Sequence, residues 1–203
     1  MAKDKRKGRR ISQTILGVLI IVCFATSGYF LFKYFDDQNQ QWKNGEVALT
    51  KADSALKQKT DYRKKTPNIG TVIGKIKIDG LTEDMPIIEG EDLNLAMAHG
   101  VGHIEHTPLP GTYTGQPAFS AHRETFFNAL KDAKVGDIVT VYMPYGTYRY
   151  KISKSIITKP DEGEKIFTTE GIDKERIVLI TCYPFTAWSS PSKRIAFFAD
   201  LIE

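Results

Sequence analysis

The chain has little cysteine. Cys23 and Cys182 are the only two among 203 residues, and with one in an apolar segment and the other far along the chain, no disulfide framework is available to hold the fold. Excess positive charge is also missing from most of the sequence. Residues 1–35 hold seven basic side chains against Asp4, a net of +6, whereas the other 168 hold 21 basic and 23 acidic residues, a net of −2. The formal +4 therefore belongs to the N-terminus, and nothing in the body of the chain argues for a nucleic-acid partner. There is no internal repeat and no low-complexity tract, and the length fits one domain with appendages.

A metal cluster is missing as well. Three of the four histidines crowd into A-H-G-V-G-H-I-E-H as His99, His103 and His106. Their spacing of four then three resembles that of ligands on a helix. Gly100 and Gly102 interrupt any helical face, however, and no carboxylate-rich second cluster accompanies them. The expectation is a glycine-bent loop carrying surface histidines, with no metal and no cofactor.

What is present begins with a basic tail, residues 1–10, followed by Ile11–Phe35, almost uncharged until Lys33. Twenty-five helical residues span roughly 37 Å, enough to cross a hydrocarbon core of about 30 Å with some tilt. The basic flank predicts a cytoplasmic N-terminus and everything after Phe35 outside the cell membrane. Ala25-Thr26-Ser27 resembles a signal-peptide cleavage site, but the apolar run continues through Tyr29–Phe32, which favours an uncleaved single-pass anchor. Residues 36–67 are polar, with Ala48, Leu49, Ala52, Ala55 and Leu56 at roughly helical spacing, and read as a solvated, partly helical stalk.

From residue 68 to 203 the pattern changes to short alternating strands. Thr71–Ile78, Met85–Ile88, Pro117–Ala121, Asp137–Met143, Thr147–Ile157, Ile177–Phe185 and Ile195–Ile202 are the clearest. A hairpin is expected at Tyr145-Gly146, one or two helical turns at Leu93–Ala98, and an amphipathic helix near Glu124–Ala133. About eight strands with only brief helices predict a closed barrel or a sandwich, mostly β.

Cys182 closes the I-V-L-I-T-C strand just before Pro184, a rigid position from which a thiol can face a cleft. A thiol of ordinary pKa is only a few per cent ionised at neutral pH, so a nucleophilic cysteine needs a partner. His122, expected at the end of the Ala118-Phe119 strand, is the best-placed histidine. Arg194, at the start of the last strand, offers a rigid fork of donors suited to an oxyanion or a peptide carbonyl. Each residue alone also admits an ordinary reading: a buried small hydrophobe, a structural histidine and a surface cation.

Together, S-A-H-R-E-T-F-F at 120–127, L-I-T-C-Y-P-F at 179–185 and S-P-S-K-R at 190–194 resemble the three active-site motifs of the sortases. These are membrane-anchored cysteine transpeptidases of Gram-positive bacteria. G-K-I-K-I at 74–78, M-P-I-I-E-G at 85–90 and G-V-G-H at 100–103 extend the likeness over nearly all of residues 70–203. The T-C-Y-P-F form is most similar to class D, while T-P-L-P-G at 107–111 resembles the pilin-polymerising class C. No Asp-Pro-aromatic lid motif precedes the domain. Ala121 departs from the family, which usually has glycine before the histidine.

The resemblance implies an eight-stranded β-barrel in which His122, Cys182 and Arg194 form the catalytic site and Thr181 supports substrate binding. It implies a surface-protein sorting-signal peptide of the LPxT-Gly/Ala kind as donor and a peptidoglycan precursor or other amine as acceptor. A tethered cysteine peptidase that only hydrolyses, or a binding module without a reactive thiol, would keep much of the same sequence.

Overall fold

The computed structural model describes residues 2–92, 95–167, 173–186, 190 and 192–203, with side chains from residue 13 onward except that of Glu164. Two compact units are present, Met1–Gln40 and Gln41–Glu203. The first is helical and leaves Ile15, Leu16, Phe24, Phe30 and Phe32 exposed. The helix to which it belongs, α1 (Ala2–Gln58), includes a stretch long and apolar enough to cross a membrane.

The second unit is an eight-stranded closed barrel: β1 (Val72–Ile78), β2 (Met85–Glu89), β3 (Val101–His103), β4 (Ala118–Ser120), β5 (Ile138–Met143), β6 (Gly146–Thr158), β7 (Arg176–Tyr183) and β8 (Lys193–Leu201), joined in the order β1-β2-β3-β4-β7-β8-β6-β5. The alternation of β1 has its expected effect, with Ile76 and Ile78 buried and Lys75 and Lys77 turned outward. Phe119, Phe127, Val141, Tyr150 and Leu179 fill the interior beside them. The run Ile177–Thr181 is buried without a break because both faces of β7 are covered. Leu179 points into the barrel, while Val178 and Ile180 join Ala118, Ile166 and Phe198 in a second cluster. The β5–β6 hairpin pairs Met143 with Gly146, so its turn is Pro144-Tyr145.

Three expectations change. The segment Glu124–Ala133 forms turns and one 3-10 helix at Asn128–Lys131 in place of an amphipathic α-helix. Local turn bonds capture its start, because His122 O accepts from the amides of Thr125 and Phe127, and Arg123 O from the Asn128 side chain. Of the expected Leu93–Ala98 turns, Leu93 and Asn94 lie outside the described residues, and residues 95–99 form turns.

The third change concerns residues 36–67. From Gln41 this stretch belongs to the barrel's unit. Ala48 and Ala52 are buried, Ala48 against Ile88 and Ala96, and Trp42 packs on Phe126 with ring centroids 5.1 Å apart. A Cβ on Gly45 would lie 2.8 Å from Phe126 Cζ, so the close approach requires glycine. Lys75 joins Asp53 of the helix at 2.9 Å and Asp84 at 2.7 Å, and Arg63 donates to Gly111 O at 2.8 Å. This helical face stabilises the barrel by roughly 2–3 kcal/mol of apolar burial. A fragment 68–203 should therefore melt about 5–10 °C below a fragment 41–203. Equal melting temperatures by calorimetry would show that the helix contributes nothing.

Candidate active site

The site is built on three neighbouring strands. β7 and β8 run antiparallel with Cys182 opposite Arg194, so the two residues share one cross-strand position. Directly opposed residues have Cβ atoms roughly 5 Å apart and side chains on the same face. β4 and β7 run parallel, with Ala118, Phe119 and Ser120 paired to Val178, Leu179 and Ile180. His122 and Cys182 each stand two residues beyond the last of these pairs, so the register brings them to the same end of the sheet.

His122, Cys182, Arg194 and Thr181 all line one groove of about 540 Å³, with Ile104 and Phe167 among its apolar walls. A second cleft of about 540 Å³, lined by Trp42, Met85 and Phe126 among others, holds neither thiol nor histidine among its lining residues. Cys182 is half-buried and in no disulfide, and the Tyr183–Pro184 peptide after it is cis. Burial holds the His122 imidazole below its ordinary pKa, with the nearby Glu124 carboxylate pulling the other way. At neutral pH the isolated ring is thus uncharged and can accept a proton. Arg194 is half-buried, and among the described residues its guanidinium makes one hydrogen bond, to Lys193 O at 3.2 Å.

Thr181 is 3% exposed, and its hydroxyl donates to Ala121 O at 2.8 Å. Ala121 N donates to Ile180 O at 3.4 Å. Ala121 lies outside the left-handed region, so the backbone before His122 makes no demand that only glycine could meet. The methyl group fits because it is buried in the core beside Phe126 and Phe127.

The clustered histidines lie elsewhere, and the surface loop expected for them is corrected. His103 is 1% exposed, within β3. Its Nδ1 lies 2.9 Å from Glu89 Oε2, and its Nε2 lies 3.1 Å from both Pro108 O and Thr107 Oγ1. A Cβ on Gly102 would meet Gly90 O at 2.5 Å, so that glycine admits a neighbouring strand and does not bend a loop. His106 is exposed at φ 65°, and His99 is half-buried. Among the described residues, no group of three or more His, Cys, Asp or Glu side chains could hold a metal ion.

Arg123, which the sequence does not single out, is 4% exposed and reaches across to Pro184. Nothing in the composition around His122 signals that its neighbour faces inward.

The Sortase domain family model matches residues 76–202. The chain belongs to the sortase family. It is 30% identical to Sortase D of Bacillus subtilis (strain 168) over 193 residues, covering 91% of this chain and 96% of that protein. The Clostridium perfringens Sortase D5 transpeptidase shares the fold at a TM-score of 0.64 with 22% identity, covering 78% of this chain and 99% of that one. Sortase A from Corynebacterium diphtheriae, as a lid mutant, superposes at 0.60 with 23% identity over 80% and 94% of the two chains. The protein is thus a cysteine transpeptidase of sortase type, most like class D.

Proposed function

We propose that this sortase is anchored by residues 11–35, with residues 1–10 in the cytoplasm and the barrel outside the cell. In this reading it cleaves an LPxT-Gly/Ala-type sorting signal and joins the severed protein to a cell-wall amine. The observation that carries the reading is the convergence of Cys182, its cross-strand partner Arg194 and His122 on one groove.

Cys182 passes its proton to the uncharged His122 and its Sγ attacks the Thr carbonyl carbon, and the oxyanion that forms is held by the Arg194 guanidinium. Most of that group's donors remain for a substrate oxygen. The C–N bond then breaks, the departing amine takes its proton from His122, and a thioester remains. An incoming amine attacks the same carbon, His122 removes its proton, and the thiolate leaves as the new amide forms. Thr181 supports the bound peptide through Ala121, whose carbonyl it holds in place at the groove wall. Water competes with the amine for the thioester, so the occupancy of the acceptor position decides between transfer and hydrolysis.

The test is mass spectrometry of the full chain in detergent with Leu-Pro-Ala-Thr-Gly and Leu-Pro-Ala-Thr-Ala peptides, with and without an amine acceptor. Cleavage after Thr, a covalent adduct and an amine-linked product are expected. Arg194→Lys keeps the charge but loses the planar fork, and it should lower the rate by about 10²–10³ with the fold intact, the scale for one preorganised oxyanion donor. Wild-type turnover in that variant would reduce Arg194 to a surface charge, and hydrolysis unaffected by amine would make the protein a peptidase.

A further inference from the structure

The β4–β7 ladder stops at Ser120 and Ile180, before it reaches the two residues that must exchange a proton. Two further bonds continue the connection, from Ala121 N to Ile180 O and from Thr181 Oγ1 to Ala121 O. Both still precede His122 and Cys182 in their segments. Beyond the pair, among the described residues, Arg123 links the two segments. Its Nη1 donates to the carbonyl of Pro184, two residues after Cys182.

An arginine is charged at any working pH, and burying that charge is costly unless a carboxylate and hydrogen-bond acceptors surround it. Arg123 is 4% exposed and has such partners. Its Nε lies 2.5 Å from Glu124 Oε1, and its Nη1 donates to the Pro184 carbonyl. The guanidinium fork engages a carboxylate through one edge and a backbone carbonyl through another, an arrangement the single-point ammonium of lysine cannot reproduce. Buried ion pairs are weak sources of stability, since apolar side chains of similar volume often serve as well. The geometry here joins the loop that carries His122 to the turn that follows Cys182.

We infer that Arg123 is a positioning residue for the transpeptidation, clamping the His122 segment to the Pro184 turn and so setting the His122–Cys182 separation. This rests on the assignment of His122 and Cys182 as the catalytic pair. Displacement of a reacting group by about 1 Å can cost a factor near 10² in rate, and a loosened clamp would act on both acylation and its reversal. Arg123 borders the groove, but it is 4% exposed and its guanidinium is held by Glu124 and Pro184, so peptide binding should stay largely unchanged.

The experiment uses the full chain in detergent. Wild type, Arg123→Met, Arg123→Lys, His122→Ala and Cys182→Ala are assayed with the two peptides for kcat and KM separately. Alkylation of Cys182 by iodoacetamide is followed at pH 7 by peptide mapping, a readout that needs no peptide substrate. Arg123→Met should lose about 10–100-fold in kcat with KM within threefold, and Cys182 should alkylate several-fold more slowly. Arg123→Lys should fall between Met and wild type. Unchanged kcat and alkylation in folded Arg123→Met, with His122→Ala and Cys182→Ala inactive, overturns the clamp and leaves the catalytic pair standing. Activity in those two alanine variants overturns the pair and the clamp with it. A raised KM at constant kcat also overturns the clamp, because Arg123 would then contact the peptide. Should Arg123→Met not fold, the lysine variant decides. A reduced kcat at unchanged KM and melting temperature supports positioning, and wild-type kcat refutes it.

Discussion

Replacing Cys182 with alanine is expected to abolish the acyl-enzyme and all turnover while leaving the barrel folded. Among the described residues lining the groove, the other hydroxyl nucleophiles are already engaged. Thr181 Oγ1 donates to Ala121 O, and Ser120 Oγ lies 3.7 Å from Met97 Sδ. Neither has a histidine within its hydrogen-bond set, so neither can inherit the role of an activated nucleophile. The thiol is half-buried at a strand end and is no member of the barrel's core clusters. Its loss should therefore cost no more than about 1 kcal/mol. Intact-mass measurement after incubation with peptide should show the adduct on wild type and none on the variant. Cys23, exposed within the first unit, remains in both proteins and serves as an internal alkylation control. A variant that still forms an adduct would place the nucleophile elsewhere. A variant that unfolds would make Cys182 a structural thiol.

Much of the fold around this candidate site is legible in the sequence, for a definite reason. β1, β5, β6 and β8 alternate or run apolar over six to thirteen residues, long enough for a period of two to be visible. The I-V-L-I run located β7, and Cys182 and Arg194 fell at the facing ends of β7 and β8. The features that were hidden depend on tertiary packing. β3 and β4 have three residues each, too few to show a period, and their parallel pairings with β2 and β7 leave no local trace. Gly100 and Gly102 looked like loop punctuation because a glycine admitted by a neighbouring backbone resembles one required by a turn. The helix face at Ala48 and Ala52 was hidden by its small side chains, which carry little hydrophobic signal even when fully buried. Arg123 was hidden for the opposite reason, since a charge beside a polar residue reads as surface whichever way it points.

His122→Ala should lower kcat/KM by about 10³–10⁴, and the pH response of that loss distinguishes proton transfer from simple activation of the thiol. Without the imidazole, Cys182 has no base beside it, and only a rise in pH can supply the thiolate. Raising the pH to 9 would then restore the attacking thiolate. The departing amine would still lack its acid, so most of the deficit should persist. Full recovery at pH 9 would confine His122 to ionising the cysteine. The same ring leaves a mark on stability whose sign follows from its burial. Its pKa is lower in the folded state than its ordinary value, through desolvation only partly offset by Glu124. As pH falls below about 6.5, the unfolded chain therefore takes up the proton first, and the folded state loses stability. That contribution is fully present above the unfolded pKa and is lost as the pH drops through the folded one. Removing the ring should shrink the fall in melting temperature between pH 7.5 and pH 5.5. An unchanged or larger fall in His122→Ala would mean that the imidazole is solvated in the native barrel.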